Sequence, residues 1–277
     1  MFSNKTLYIS DLDGTLLNDD ARLSEYTKTA LSRMMAQGLR FSVATGRTPA
    51  TAFNILEGME WNIPHALLNG VYIYDYANKE YVSTRNIGPE TVAIILQTLK
   101  RLNITGLMYR FFGGKQTVFY EAHAGEPIRL FMEERRIRYR KEFLPAESFF
   151  DVPPEGVTYF TLLDAREPIE RANAAIREIT GINASVSKDI YNQGQWFLEL
   201  SDSGASKHNA AEYLRRRYGF ERVVGFGDNL NDLPLFAACD VKVAPANALD
   251  EVKAAADHIC ETNERDGVVK WLQTHAR

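Results

Sequence analysis

Residues 11–17 read Asp-Leu-Asp-Gly-Thr-Leu-Leu (DLDGTLL), and they follow a short apolar run, Leu7-Tyr8-Ile9. The apolar run predicts a buried strand, so two carboxylates would lie where that strand ends. Residues i and i+2 of an extended chain point to the same side, so Asp11 and Asp13 could face one pocket. Desolvating unpaired carboxylates is costly, and a bound cation would compensate for that cost. The alternative is a simple turn, which also favours Asp and Gly and needs no cation.

The pattern around this stretch predicts a sheet of parallel strands. Strand-like and helix-like segments alternate along the first 80 residues and again after about residue 196, which is typical of the α/β class. The middle of the chain, from about Thr84 to Ile190, mixes helices with a hairpin-like pair around Gly113-Gly114 and predicts an α+β insert with its own core. We therefore expect two domains, which is also the soft expectation for 277 residues.

Two more predicted strands end in polar residues. Residues 44–47 (Ala-Thr-Gly-Arg) offer a hydroxyl, a glycine that allows close approach to the main chain, and a fork-shaped guanidinium suited to phosphate. In Gly225–Asp232, Asp228 follows a later strand, and Asn231 and Asp232 lie about one helical turn further on. A strand–turn–helix junction would also account for the first group, and a helix N-cap would account for part of the second.

Lys207 opens a predicted helix just after Gly204. The start of a helix favours anions, so a lysine there makes sense if it faces an anionic ligand, although most lysines are simply solvated. Ligands of open α/β sheets bind beyond the carboxyl ends of the strands, and Mg²⁺ prefers oxygen ligands. Three strand ends and one helix start therefore predict a site for phosphate with Mg²⁺, where a carboxylate can act as the nucleophile.

Composition excludes several other classes. The chain has 32 basic and 36 acidic residues, a net charge of −4, which argues against nucleic acid as the main partner. Cys239 and Cys260 are too few for a disulfide framework and lack metal-ligand spacing. No segment approaches the roughly 18 apolar residues of a membrane span, and no secretory signal is evident. We expect a cytoplasmic protein with no membrane or nucleic-acid partner.

Four motifs match, in order, those of the haloacid dehalogenase (HAD) superfamily of phosphohydrolases, and the chain most resembles its Cof-type subfamily IIB. They are Asp11–Thr15 (DLDGT), Thr45–Arg47 (TGR), Lys207 and Gly227–Asp232 (GDNLND). The resemblance implies a Rossmann-like parallel-sheet core domain, residues 1–83 and 191–277, with an inserted α+β cap domain, residues 84–190, that determines substrate specificity. The chain departs from the branch at His208, where Gly is usual, and at residues 244–247 (Ala-Pro-Ala-Asn).

The resemblance also implies a role for each motif residue. Asp11 would be the nucleophile and Asp13 the general acid and base. Mg²⁺ would bind Asp11, the main-chain carbonyl of Asp13, and Asp228. Asp232 would position Lys207 or the waters of the metal. The residues that would hold the phosphoryl oxygens or the substrate are the Leu12 backbone, Thr45, Gly46, Arg47, Lys207 and Asn231.

The expected function is Mg²⁺-dependent hydrolysis of a small phosphorylated metabolite, a sugar phosphate or a phosphorylated cofactor, through an aspartyl phosphate. A phosphotransferase or phosphomutase using the same intermediate, and a non-catalytic sensor of such metabolites, are the alternatives. The protein would be a monomer or a small homo-oligomer. Residues 132–141 (MEERRIRYRK) carry five basic residues, which suit a solvated helix face or a rim that attracts anionic substrates.

Overall fold

A computed structural model of the chain describes residues 2–189, 192 and 194–276. The strands in these ranges are β1 (Thr6–Ser10), β2 (Arg40–Val43), β3 (His65–Leu67), β4 (Tyr72–Asp75), β5 (Glu80–Thr84), β6 (Gly106–Phe112), β7 (Lys115–Glu121), β8 (Leu144–Ala146), β9 (Val157–Ala165), β10 (Ile182–Lys188), β11 (Gln195–Asp202), β12 (Arg222–Phe226), β13 (Val241–Pro245) and β14 (His258–Cys260). The helices are α1 (Glu25–Ala36), α2 (Pro49–Leu56), α3 (Pro89–Leu102), α4 (Glu126–Tyr139), α5 (Arg166–Ile176), α6 (Lys207–Tyr218), α7 (Leu233–Ala237), α8 (Asp250–Ala255) and α9 (Gly267–His275). The chain divides into two compact units, one formed by Met1–Ser83 with Ser206–Arg277 and the other by Thr84–Ala205.

The first unit is built on a parallel sheet with the strand order β14-β13-β12-β1-β2. The interior strand β1 is buried along its whole length. Helices around it present apolar faces because their buried residues recur at helical spacing, as Ala30, Leu31, Met34 and Met35 do in α1. The Ser24 side chain begins α1 by accepting a hydrogen bond from the Thr27 amide at 2.9 Å. The α/β prediction for this part of the chain is confirmed.

A second sheet of the first unit, with the order β3-β4-β5, was not expected from the sequence. Strands β3 and β4 are antiparallel, and an isolated parallel bridge joins Ala44, after β2, to Ala66 in β3. The chain thus turns back after β3 instead of adding a further strand to the long parallel sheet. Tyr72, Tyr74 and Tyr81 pack edge to face on this small sheet, with ring centroids 4.9–5.4 Å apart.

The second unit is a six-stranded sheet with the order β10-β11-β9-β6-β7-β8. All its pairs are antiparallel except β7–β8. Helices α3 and α5 bury apolar residues, among them Ile95, Leu99 and Ile169, in a core that includes Met108, Phe160 and Leu198 of the strands. The opposite face of the sheet carries Tyr109, Tyr159 and Glu199, because side chains alternate along a strand. The mixture of helices and antiparallel strands agrees with the predicted α+β character.

The extent of the insert differs from the sequence-based boundary. That boundary, between residues 190 and 191, lies outside the described residues. Strand β11 lies beyond it and pairs with both β10 and β9, so it is an interior strand of the second unit. The second unit therefore extends to Ala205 and includes residues that the sequence had assigned to the core. None of the helices in the described ranges combines the length and the apolar character that crossing a bilayer requires.

Candidate active site

Three strands of the first unit end at the same edge of the parallel sheet. Ser10 of β1 pairs with Phe226 of β12 and with Val43 of β2, so the three strand ends are level with one another. The Asp11 amide continues the ladder by donating to the Phe226 carbonyl at 2.9 Å. The residues that follow these strands include Asp11, Thr45 and Asp228. They therefore lie at the edge where ligands of parallel α/β sheets bind.

A tight turn after β1 brings the Asp11 motif against Asp228. Gly14 has a φ of +73°, which favours glycine, and a Cβ atom at this position would come within 2.4 Å of Asp228 Oδ2. The hydroxyl of Thr15 then donates to Asp228 Oδ1 at 2.6 Å. The glycine and the threonine of the first motif thus fix the position of a carboxylate more than 200 residues away along the chain.

Lys207 reaches the same place from the first turn of α6. Ser206 begins this helix by accepting a hydrogen bond from the Asn209 amide at 3.0 Å. The Lys207 side chain is only 1 % exposed, and Nζ donates to Asp11 Oδ1 at 2.7 Å and to Asp232 Oδ1 at 2.6 Å. The lysine is therefore not the solvated side chain that was the alternative interpretation of its position.

Lys207 forms ion pairs with two carboxylates, Asp11 and Asp232, in this buried site. Burial raises the pKa of the Asp11 carboxyl, and Lys207 opposes the shift. Burial alone would lower the pKa of Lys207, but the charges of Asp11 and Asp232 raise it above its ordinary value. Burial also raises the pKa of Asp228, which the Thr15 hydrogen bond partly offsets. The cluster carries an excess of negative charge that a cation would relieve.

Asp232 is fully buried and its oxygens already have donors. Oδ1 accepts from Lys207, and Oδ2 accepts from the amides of Asp228 and Asn229 at 3.0 and 3.1 Å. Together with the Asn229 side chain it forms a capping box at the turn that follows β12. Its two oxygens thus hold the Lys207 ammonium and the backbone of Asp228 and Asn229.

The acidic residues fit a hard divalent cation. Oxygens of Asp11, Asp228 and Asp232 lie within 4.8 Å of one another, and Asp228 is half-buried and so reachable from solvent. An all-oxygen set that includes two available carboxylates is the kind that Mg²⁺ takes. The Asp13 carboxylate is not part of this cluster.

Asp13 forms an ion pair with Arg47. Arg47 Nε donates to Asp13 Oδ2 at 2.7 Å, and its NH2 group donates to Oδ1, a two-pronged contact. The Asp13 side chain is 52 % exposed, so it can meet a molecule arriving from solvent. In this arrangement Arg47, which the sequence offered as a phosphate ligand, holds Asp13.

Thr45 and Gly46 follow β2, at a point where the main chain hydrogen-bonds to β3. The Thr45 amide donates to the Ala66 carbonyl at 2.9 Å, and the Thr45 carbonyl accepts from the Asn69 amide at 2.8 Å. The Thr45 oxygen Oγ1 accepts from the Arg47 amide at 3.1 Å, which leaves its hydroxyl hydrogen available. Gly46 is exposed. A Cβ atom at this position would lie 3.4 Å from the side-chain nitrogen Nδ2 of Asn69.

Asn69 is a site residue to which sequence reasoning gave no role. It has a φ of +51°, Leu68 before it has +47° and Gly70 after it has +96°, a run of positive φ that is costly outside glycine. The Asn69 Oδ1 atom is buried and lacks a hydrogen-bond partner among the described residues. The Asn69-Gly70 pair, a dipeptide typical of turns, is the sequence signal that could have found it.

Asn247 is the second such residue. Its amide nitrogen donates to the Gly14 carbonyl at 2.7 Å, and its Oδ1 accepts from the Asn263 amide at 3.0 Å. It therefore ties the turn after β1 to the end of the chain. By contrast, Asn231 is exposed, and in the described part of the chain its side chain makes no hydrogen bond to the cluster. A backbone hydrogen bond from Leu12 lowers the pKa of Asp11.

A family model described as haloacid dehalogenase-like hydrolase matches residues 8–272. The chain belongs to this family. This membership confirms the resemblance to the HAD superfamily seen in the sequence, and the shared fold of solved relatives confirms the expected fold class.

Known HAD phosphatases resemble the chain along nearly its full length. The pyridoxal phosphate phosphatase YbhA of Escherichia coli (strain K12) is 26 % identical over 284 residues, which cover 96 % of this chain and 96 % of that protein. The 5-amino-6-(5-phospho-D-ribitylamino)uracil phosphatase YitU of Bacillus subtilis (strain 168) is 25 % identical and covers 96 % and 95 %. The solved HAD subclass IIB sugar phosphatase BT4131 has a TM-score of 0.73 at 21 % identity, with 98 % of each chain covered, which shows the shared fold. This HAD protein is a phosphatase.

Proposed function

We propose that the protein is a Mg²⁺-dependent phosphatase that hydrolyses a small phosphorylated metabolite through an aspartyl phosphate on Asp11. The observation that carries the proposal is the buried contact of Lys207 with Asp11 and Asp232, next to Asp228. A single lysine faces three carboxylates there, so the site is prepared for a further cation and an anionic substrate together.

Asp11, Asp228 and the main-chain carbonyl of Asp13 would hold the metal. When bound, Mg²⁺ supplies positive charge that neutralises the carboxylates and the transferring phosphoryl group. Lys207 supplies a second, fixed positive charge, which its two carboxylate contacts hold in place. Such preorganised charge is the main contribution of a protein to phosphoryl transfer.

The chain's own residues account for both halves of the reaction. An Asp11 carboxylate oxygen attacks phosphorus, the bond to the leaving alcohol breaks, and Asp13 gives that alcohol a proton. Asp13 then removes a proton from water, the water oxygen attacks phosphorus, and the Asp11–phosphorus bond breaks to release phosphate. The Thr45 hydroxyl, the Gly46 and Leu12 amides, Lys207 and Asn231 would hold the phosphoryl oxygens.

Arg47 would hold Asp13 ready for these proton transfers. Its two-pronged contact fixes the Asp13 carboxylate while leaving 52 % of the side chain exposed. An incoming phosphate would attract the same guanidinium, so Arg47 can contact both the acid and the substrate.

The substrate would be a sugar phosphate or a phosphorylated cofactor. The printed names of the relatives, a pyridoxal phosphate phosphatase, a ribitylaminouracil phosphate phosphatase and a sugar phosphatase, support this class. We assign substrate choice to the second unit, Thr84–Ala205, because the motifs of the first unit address only phosphate and metal.

Phosphate release from a panel of phosphorylated metabolites, with Mg²⁺ and with chelator, tests the proposal. We expect Mg²⁺-dependent release by the wild type and a loss of at least ~10³-fold in Asp11→Asn, because the nucleophile is gone. Asp20→Asn makes the same charge change at an exposed position away from the cluster and should remain active. Acceptor-dependent product without free phosphate would point to a transferase, and tight binding without turnover would point to a sensor.

A further inference from the structure

The basic segment of residues 132–141 is divided by the structure into exposed and buried parts. Arg136, Arg138 and Arg140 are exposed, as expected for a solvated helix face. Arg140 ends α4 with a φ of +51°, and the amide of the next residue, Lys141, donates back to the Arg135 carbonyl at 3.2 Å. This helix termination turns Lys141 inward, and its side chain is only 9 % exposed.

Lys141 lies against aromatic rings instead of carboxylates. Its Nζ is 4.7 Å from the centroid of the Tyr109 ring and 5.5 Å from that of Phe143. Among the described residues, no carboxylate forms an ion pair with it, and the positive charge of Arg135 lowers its pKa further after burial has lowered it. Arg135 itself is half-buried, lies over the Phe131 ring at 3.3 Å and donates to Glu134 at 2.9 Å.

Lys207 provides an internal comparison for Lys141. Both lysines are buried, but Lys207 contacts two carboxylates and its pKa is raised. Lys141 has none, and burial followed by repulsion from Arg135 lowers its pKa to about 7. Contact with aromatic faces offsets only part of the cost of burying an unpaired ammonium. Lys141 is thus a buried amine that has no counter-charge among the described residues.

The residues around Lys141 combine aromatic rings with polar side chains. Tyr109 accepts a hydrogen bond from the Thr161 hydroxyl at 3.3 Å and packs edge to face with Tyr159, centroids 5.6 Å apart. Tyr159 in turn hydrogen-bonds Glu199, whose pKa is raised by burial. Aromatic surface and polar groups therefore alternate on this face of the six-stranded sheet.

We propose that Lys141 is a binding site for an anionic group, a carboxylate or a phosphate carried by a small molecule, on the Tyr109 face of the second unit. The anion supplies the missing counter-charge, and Arg135 adds positive potential beside it. The group belongs either to the substrate itself or to a separate regulatory molecule. The substrate case rests on the proposed phosphatase function, whereas anion binding by Lys141 does not.

A titration of the full chain with isotope-labelled lysine side chains tests the proposal by NMR. The Nζ signal of Lys141 is assigned by its disappearance in Lys141→Met, a variant of similar volume that removes only the charge. We expect malonate or inorganic phosphate to raise the pKa of Lys141 by about one unit or more, as an opposite charge at short range does. Arg138→Gln, an exposed change in the same segment, should leave that response intact.

Kinetics with two kinds of substrate then identify the source of the anion. If the group belongs to the substrate, Lys141→Met raises KM about 10-fold for substrates with a second anionic group and leaves p-nitrophenyl phosphate unaffected. If the anionic group belongs to a separate molecule, Lys141→Met loses only the change in activity that added malonate causes in the wild type. The proposal is overturned if neither anion shifts the Lys141 pKa, whatever the activity of the enzyme, and an inactive enzyme with a responsive Lys141 would contradict only the proposed function.

Discussion

At the scale of single residues, Asp232 shows how buried hydrogen bonds hold the site together. It is fully buried, it accepts from the Lys207 ammonium, and it accepts from two consecutive backbone amides. Removing its charge leaves these donors without a proper acceptor, and buried unsatisfied donors are costly. Asp232 thus holds together the lysine and the backbone turn of the site.

We expect Asp232→Asn to lower the free energy of unfolding by about 2–3 kcal/mol, since Lys207 keeps its contact with Asp11 but the amide donors lose a charged acceptor. Urea unfolding measures the change. Glu170→Gln, which breaks the exposed pair with Arg166, is the matched control and should cost under about 1 kcal/mol. Equal effects of the two variants would contradict the structural role given to Asp232.

His65 is a second residue whose environment has a measurable consequence. It is fully buried between the rings of Trp61 and Tyr76, and its Nδ1 accepts from the Val43 amide at 3.3 Å. Burial lowers its pKa to about 3, and its Nε2 lacks a partner among the described residues. The imidazole is therefore neutral in the folded protein.

We expect the protein to lose stability as the pH falls below the ordinary histidine pKa, because the unfolded chain then binds a proton that the folded chain does not. The loss from His65 is about 1.4 kcal/mol per pH unit between roughly pH 6.5 and 3. Unfolding by urea at about pH 7 and pH 5 measures it. His65→Asn keeps an acceptor for Val43 and should show a shallower pH dependence; an unchanged slope would contradict this assignment.

At the scale of elements, the site depends on backbone segments that pack against one another. Gly70, with a φ of +96°, follows β3 and lies against the residue that begins α6: a Cβ atom there would come within 2.5 Å of the Ser206 carbonyl oxygen. Since Lys207 is the next residue, the Leu68–Gly70 turn helps to fix where the lysine enters the site.

We expect Gly70→Ala to reduce both stability and activity, because it combines an unfavourable backbone conformation with a clash against main chain. Gly219→Ala at the end of α6, where φ is +69° but no atom lies within 4 Å, isolates the conformational part, about 1 kcal/mol. Thermal unfolding and phosphate release report the two effects. A Gly70→Ala variant that matched Gly219→Ala in both would show that the contact is unimportant.

The sequence predicted the parallel sheet of the first unit because apolar runs followed by polar turns are local signals. It did not predict that Tyr72–Asp75 and Glu80–Thr84 form strands, because the two segments are only four and five residues long and their regularity comes from pairing within one small sheet. The sequence-based boundary also placed β11 in the first unit instead of the second, because the alternating pattern of a strand does not indicate which sheet the strand joins.

The same distinction applies to the candidate site. The motif spacing placed Asp11, Asp228 and Lys207 at strand ends or a helix start, and the structure brings them together. The pairing of Arg47 with Asp13 and the contact of Asn247 with Gly14 join residues far apart in the chain, and no local pattern indicates them.

At the scale of the whole molecule, metal binding and folding should be linked. The excess negative charge at Asp11, Asp228 and Asp232 lies inside the first unit, so a bound cation stabilises the folded chain relative to the unfolded one.

We expect Mg²⁺ at about 100 times its dissociation constant to add about 2.7 kcal/mol to the free energy of unfolding. Unfolding with and without the ion measures this. Asp228→Asn should abolish most of the gain, whereas Asp20→Asn, an exposed change, should keep it. A full gain in Asp228→Asn would place the metal elsewhere.

The central claim, that Asp11 is the nucleophile, is tested most directly by trapping the intermediate. Asp13→Asn lacks the base that activates water, so it should accumulate the aspartyl phosphate when it is mixed with Mg²⁺ and p-nitrophenyl phosphate. This substrate is chosen because its leaving group needs no proton. After acid quenching, mass spectrometry should find one phosphoryl group on the peptide that contains Asp11, labile to hydroxylamine and absent when Asp11 is also replaced by Asn. A phosphoryl group on another residue, or p-nitrophenol release by Asp13→Asn without any adduct, would contradict the account.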